Sequence, residues 1–338
     1  MRQSTKQSTL GQSGNDTSQG EPEMNSVATR PFLYSPPAGP GGIEGEIVNC
    51  KLGRVSDLAG IDVRGKVALI QRGDIVFTEK ALNAQRAGAI GALMYNNADE
   101  SMIGTLVQPV SIPVLGIGGL EGTDLVELLS QGMRIQAGIG LESRTVPGTS
   151  HNILGKIHSS DGSGDFFVIG AHLDSVDTPG ANDNASGLAA LMELAKTITA
   201  NPVEMEVHLI AFGAEEIGLR GSMEAASQLN TLEGKCVGMV NLDTVGTGQM
   251  LRMYTIPGGD SALAKRMTEL ARQDGMLCET GQSLYSDHTA FAQAGIPAVF
   301  LIREPASTVH TPHDTPDAIE SDWIKRIVEL VYRLLQES

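Results

Sequence analysis

The sequence predicts an α/β protein: a mostly parallel or mixed sheet flanked by helices, preceded by a small N-terminal mixed α/β unit. Three observations carry that expectation. Runs such as FFVIG (166–170), HLIAF (208–212), VGMVNL (237–242) and AVFLI (298–302) are apolar nearly throughout, the composition of strands buried on both faces between helices. Segments of helical periodicity alternate with them. The 40 glycines in 338 residues supply many tight turns rather than long helices.

Taken in order, residues 1 to about 30 are rich in Ser, Gln, Gly, Asn and Thr and read as a disordered tail. PFLYSPPAGPGG (31–42) is a lead-in punctuated by Pro and Gly, so the first folded unit is expected over 43–145. In it IEGEIVNC (43–50), KVALIQRG (66–73) and GALMYNN (91–97) read as strands, and FTEKALNAQRAGA (77–89) as a helix ending near Gly88. SIPVLGIG (111–118), the helix GTDLVELLSQG (122–132) and the strand MRIQAGI (133–139) follow. This unit has no histidine and no acids at ligand spacing, so chemistry is expected elsewhere.

The second unit, 146–338, opens with SHNILGKI (150–157) and FFVIGAH (166–172) as strands, then a helix over 185–198. EMEVHLIAF (204–212), CVGMVNLD (236–243) and PAVFLI (297–302) read as further strands. Helices are expected over 261–275, 288–295 and 321–338. The last places Trp323, Ile324, Ile327, Val328, Val331 and Leu334 on one stripe, which assigns Trp323 to packing.

Composition excludes several classes. With 24 Lys+Arg against 40 Asp+Glu, a formal charge of −16 argues against nucleic acid and anionic membranes as partners, since both select basic surfaces. No stretch approaches the roughly 18 apolar residues of a membrane span, and no apolar run near residue 1 reads as an export signal. Cys50, Cys236 and Cys278 are too few for a disulfide scaffold, and none sits in a CxxC pair.

Ligands of open α/β sheets collect beyond the carboxyl ends of the strands. Those ends here carry Ala171-His172-Leu173-Asp174, Gly213-Ala214-Glu215-Glu216, Leu242-Asp243 and, eight residues past Ile302, His310-Thr311-Pro312-His313-Asp314. A turn running from Pro179 through Asp183 to Gly187 opens a helix between the first two. Singly, such residues are caps or solvated side chains. Together they gather carboxylates that repel one another, with only Arg220 and Arg303 nearby, so a bound cation is the obvious candidate to hold them together. Imidazole with carboxylate oxygen suits Zn²⁺, Co²⁺ or Mn²⁺ rather than Mg²⁺ or Ca²⁺. Two histidines and three carboxylates fit two such ions sharing a bridging carboxylate. Of the adjacent Glu215 and Glu216, one can hold metal while the other moves a proton.

GAHLDSVDTPGANDNASG (170–187), FGAEEIGLRGS (212–222), NLDTVG (241–246), YSDHTAFAQAGIPAV (285–299) and VHTPHDT (309–315) resemble the co-catalytic dizinc aminopeptidases, a family extending to glutamate carboxypeptidases and glutaminyl cyclases. Residues 43–145 resemble the protease-associated domain many of them carry. The resemblance implies two Zn²⁺ per chain and the zinc exopeptidase fold. His172 and Asp243 would be the private ligands of one ion, Glu216 and His310 those of the other, Asp183 the bridge and Glu215 the general base. It further implies a cis bond between Asp183 and Asn184, and an orienting role toward the ligand imidazole for Asp174. Asp287 and His288 belong to a family motif without being ligands, His313 is a bystander, and His151, His158 and His208 match nothing. Two departures stand out: no helical stretch precedes 43–145, and Val309 stands where some relatives have a Tyr before the last ligand, with Tyr285 a candidate substitute.

The resemblance implies hydrolysis at the free amino terminus of peptides. A carboxypeptidase- or dipeptidase-like enzyme of the same family would need bases near the metals, and a glutaminyl cyclase would need only one zinc. An inactive binding relative lacking the N-terminal cover of the catalytic unit is the non-enzymatic alternative. The resemblance also implies an extracellular enzyme, with a cytoplasmic location left open by the missing export signal.

Overall fold

The computed structural model describes residues 8–13, 24–73, 75–97, 99, 102–158, 164–176, 178–229, 232 and 234–337, with side chains from Ser26 onward. The chain divides into two units, Met1–Gly148 and Thr149–Ser338.

The first unit runs β1 (Ser8–Ser13), β2 (Met24–Val27), β3 (Arg30–Pro31), β4 (Ile43–Asn49), α1 (Val55–Leu58), β5 (Val67–Gln71), α2 (Phe77–Arg86), β6 (Gly91–Tyr95), β7 (Val114–Ile117), α3 (Gly119–Ser130) and β8 (Arg134–Ile139). Its sheet has the order β2-β1-β8-β4-β5-β6-β7-β3. Strands β4 to β7 pair in parallel. Successive residues of β5 serve opposite faces: Ala68 and Ile70 pack with Phe32 and Ala81 of α2, Val67 and Leu69 with Leu125 of α3. Burial on both faces is why VALI is continuously apolar. The disordered tail expected over the first 30 residues falls on 1–7 and 14–23, which lie outside the described residues, and on two strands. β1 pairs antiparallel with β8; backbone groups make that pairing, so polar side chains gave no sign of it. Phe32, in the expected lead-in, is fully buried.

The second unit runs β9 (Ile153–Ile157), β10 (Phe166–His172), α4 (Ser186–Ala200), β11 (Glu206–Phe212), α5 (Arg220–Gln228), β12 (Cys236–Leu242), β13 (Met250–Thr255), α6 (Ala262–Gln273), β14 (Cys278–Gln282), α7 (His288–Gln293), β15 (Ala298–Glu304) and α8 (Ser321–Gln336). The sheet order is β14-β13-β15-β12-β10-β11-β9. Its centre, β15-β12-β10-β11, is parallel, while β9 and β13 join it antiparallel. One face buries Ile169, Val240 and Leu301 beneath Leu194 of α4, Leu270 of α6 and Val331 of α8. The other buries Val168, Ile210 and Met239 beneath Ala226 of α5 and Phe291 of α7. Trp323 is partly buried against the first face, its ring between the guanidinium groups of Arg303 and Arg326 at 4.0 and 4.2 Å.

Because the four central strands run the same way, their carboxyl ends share one edge. Register aligns them: His172 lies opposite Phe212, Gly170 opposite Asn241, and Leu242 opposite Leu301. Two residues on from Gly170 and Asn241, His172 and Asp243 meet at that edge.

Candidate metal centre

Six side chains converge beyond the strand ends. His172 is supplied by the last residue of β10, Asp243 by the residue after β12, and Glu215 and Glu216 by the loop after β11. Asp183 comes from the turn before α4 and His310 from the loop after β15. His172 Nε2 lies 3.0 Å from Asp183 Oδ1 and 3.4 Å from Asp243 Oδ1. His310 Nε2 lies 3.0 Å from Asp183 Oδ2 and 3.2 Å from Glu216 Oε2. The two oxygens of Asp183 therefore face two different histidines, each accompanied by one further carboxylate. His172, Glu215 and Glu216 form a third close group.

These distances fit two Zn²⁺ ions. On a tetrahedral zinc ion with bonds of about 2.0–2.1 Å, neighbouring donor atoms stand about 3.3 Å apart. His172 Nδ1 is 3.0 Å from the Asp174 carbonyl oxygen; a carbonyl only accepts, so Nδ1 carries the proton and Nε2 keeps its lone pair for a metal. Orientation of this imidazole thus comes from the Asp174 backbone, the carboxylate standing at 3.9 Å. That carboxylate instead accepts the backbone N–H groups of Glu215 (3.0 Å) and Glu216 (3.2 Å), which fixes the neighbouring acids.

The turn carrying Asp183 is tied on every side. Gly180 adopts φ +68°, and a Cβ there would stand 2.6 Å from Ser175 Oγ and 2.9 Å from the Asp183 carbonyl oxygen, so only glycine fits. The bond from Asp183 to Asn184 is cis. Asn182 Oδ1 accepts the Gly246 N–H (2.8 Å), and Asn184 Oδ1 accepts those of Gly187 (2.9 Å) and Thr244 (3.3 Å). Asn184 Nδ2 donates to the Leu242 carbonyl (2.9 Å), so the two asparagines grip the segment holding Asp243. Asp243 accepts hydroxyl bonds from Thr244 (2.9 Å) and Ser286 (2.6 Å). From the other side comes Asp314, fully buried. Its carboxylate accepts the N–H groups of Asn182 (2.7 Å) and Asp183 (3.0 Å), and its carbonyl that of Ala181 (3.1 Å). Asp314 lies within VHTPHDT (309–315), where the sequence offers one signal of its role, an acid four residues past a ligand histidine.

Within the cluster the histidines face the acids. Burial acts to lower the pKa of His172, yet Asp243, Glu215 and Asp183 outweigh it and hold the group well above its ordinary value. His310 is raised likewise against its burial, by Asp183 and Glu216. Glu215 is pushed well up by burial and by Asp287, Glu216 and Asp243, with His172 opposing. Cations at this place would replace those protons.

The other residues singled out by sequence lie as follows. Arg303 is buried; its Nη2 donates to the Gly248 carbonyl and its plane covers Trp323, so its charge is committed away from the cluster. Arg220 begins α5 and is exposed. Tyr285 is 59% exposed. His288 is buried, with Nε2 3.1 Å from the Ser283 carbonyl oxygen. His208 stacks on Phe166 and bonds Glu206 at 2.7 Å, which also meets His158 at 3.1 Å. Glu206 opens β11, so these groups sit at the opposite end of the strand. His151 and His313 are exposed.

Comparison with known proteins places these features. The family described as Peptidase family M28 matches residues 152–335, and the PA domain matches 43–125. Aminopeptidase YwaD of Bacillus subtilis (strain 168) is 33% identical over 324 residues, covering 90% of this chain and 69% of that protein. A probable leucine aminopeptidase 2 of Aspergillus fumigatus is 30% identical over 255 residues, 70% of this chain but half the length of that protein. Among solved structures, an aminopeptidase from Aneurinibacillus sp. strain AM-1 superposes with a TM-score of 0.75 at 33% identity, covering 98% of this chain and 79% of that one. BSAP, a zinc aminopeptidase from Bacillus subtilis, superposes at 0.71 and 30% identity, covering 97% and 82%.

Proposed function

The chain belongs to peptidase family M28, and on that premise we propose that it is a zinc-dependent aminopeptidase, releasing the first residue of peptides with a free amino terminus. The observation that carries the reading is Asp183, one carboxylate facing two histidines, each with a further acid beside it. Similarity to proteins named aminopeptidases, over most of the chain, supports it. In this reading His172, Asp183 and Asp243 hold one Zn²⁺, and Asp183, Glu216 and His310 the other. Bound there, the two ions supply Lewis acidity, polarising the scissile carbonyl and making water acidic enough to attack near neutral pH.

Glu215 takes the proton of the attacking water and returns it to the departing amine. The N–H bonds from Glu215 and Glu216 to Asp174 set the backbone so that Glu216 reaches His310 while Glu215 remains beside His172. A substrate ammonium would meet Glu215 and Asp243; a substrate carboxylate would meet the same acids, with Arg303 turned away to Trp323.

One peptide assayed in free, N-acetylated and C-amidated forms, with zinc present, tests this. Acetylation should lower kcat/KM about tenfold or more, roughly 1.4 kcal/mol, and amidation should change it little. Preference for the blocked form, or dependence on a free carboxylate, would overturn the aminopeptidase reading in favour of the carboxypeptidase-like one.

A further inference from the structure

Three consecutive backbone N–H groups, of Ala181, Asn182 and Asp183, are all taken by one residue, Asp314, at 2.7–3.1 Å. Asp314 is not among the converging donors. Its effect on them follows from geometry. With its N–H turned into Asp314, Asp183 must send its side chain the other way, toward His172 Nε2 and His310 Nε2. Asp314 also belongs to the loop that carries His310. That loop is closed on itself by the Thr311 N–H to the Thr308 carbonyl (3.1 Å) and the Asp314 N–H to the Thr311 carbonyl (3.2 Å). The bridge and one histidine are thereby joined as a unit, whereas Asn182 and Asn184 join the bridge to the Asp243 segment.

We propose that Asp314 is a positioning residue for both metal positions: by holding the backbone of the bridging aspartate it sets the one carboxylate that the two positions share. The proposal rests on the dizinc reading above. A carboxylate is needed because each of its oxygens accepts one N–H; an amide of the same shape would turn a donor toward one of them. A ligand lost at one position empties that position first, whereas a displaced bridge weakens both.

The test compares wild type, Asp314→Asn, Asp314→Ser and a control, Asp317→Asn, which removes an exposed acid nearby. Zinc affinity is measured by competition with a chelator, kcat and KM under excess zinc, and folding by circular dichroism. Asp314→Asn should weaken zinc at both positions by about tenfold or more, with KM unchanged and kcat recovered to within about threefold by excess zinc; Asp317→Asn should match wild type. Wild-type zinc affinity in both Asp314 variants, or loss at one position only, would overturn the proposal. So would a kcat that stays low at full zinc occupancy, which would place Asp314 in the chemistry itself. If neither variant folds while metal-free wild type does, Asp314 serves the fold and not the metals. Wild type that binds fewer than two zinc ions refutes the dizinc reading itself; wild type that binds two, with unaltered variants, refutes this proposal alone.

Discussion

Asp287 is fully buried next to the acids of the site. Burial pushes its carboxyl up to about 7, with Asp243 and Asp174 adding to the effect and His172 and the Ser222 hydroxyl opposing it. In the open chain the same group titrates near 3.8. A group whose folded pKa is raised stabilises the fold fully below its unfolded value, and that stability is lost as pH rises through the folded value. Holding a carboxyl at about 7 instead of 3.8 corresponds to on the order of 4 kcal/mol, about 10 °C in melting temperature for a unit of this size. Glu215, raised well above its ordinary value, acts with the same sign. The raised histidines do too: the stability that His172 and His310 contribute is complete below about 6.5 and disappears above their folded values. Metal-free protein should therefore lose stability as pH rises, through Asp287 between about 4 and 7 and through the histidines above about 6.5. Zinc reverses the trend, because its ligands must shed protons to bind and its affinity grows with pH. Melting curves of chelator-treated and zinc-saturated protein across that range should diverge steadily. Asp287→Asn, uncharged and of the same shape, should flatten the metal-free curve. A metal-free melting temperature that stays level or climbs to pH 8, or an Asp287→Asn slope equal to wild type, would refute the reasoning.

Two further outcomes are expected. Metal analysis of saturated wild type should give two zinc ions per chain; Glu215→Ala should keep both and lose on the order of 10²–10⁴ in rate, whereas Glu216→Ala should lose metal, and equal zinc contents in the two variants would contradict their separate roles. Gly180→Ala forces a Cβ within 2.9 Å of the Asp183 carbonyl oxygen at φ +68°, so it should cost about 1–3 kcal/mol and weaken zinc binding, read by melting with and without metal.

The central strands were legible because burial on both faces leaves only apolar residues, and their ends were legible because acids and histidines follow such runs abruptly. Strands β13 and β14 were not. In β13 buried and half-buried residues alternate, and β14 is mostly exposed, so neither has the apolar run that marked the centre. Nor was Asp314 legible as a clamp: its partner Asn182 lies 132 residues away, and nothing in one sequence records that distance closing. Arg303 illustrates a subtler loss. Its place at a strand end suggested a base near the metals, but the sequence cannot show that its side chain leaves the edge to cover Trp323 on α8.

What the sequence could show was a need: several acids arriving at one edge without bases. The structure explains how the need is sustained. Asp174, Asn182, Asn184 and Asp314 hold the site through backbone N–H and C=O groups, and Ser286 holds Asp243 through its hydroxyl. All of these restraints fix position without cancelling charge. A lysine or arginine in the same place would steady the acids equally well, but it would also satisfy them, and a metal would then have to displace it. Because none of these restraints brings a positive side chain, only protons offset the acids' mutual repulsion without metal, and cations that replace those protons relieve it. The restraints also keep the bridge aligned before metal enters, which removes much of the ordering cost that a flexible site would meet on binding.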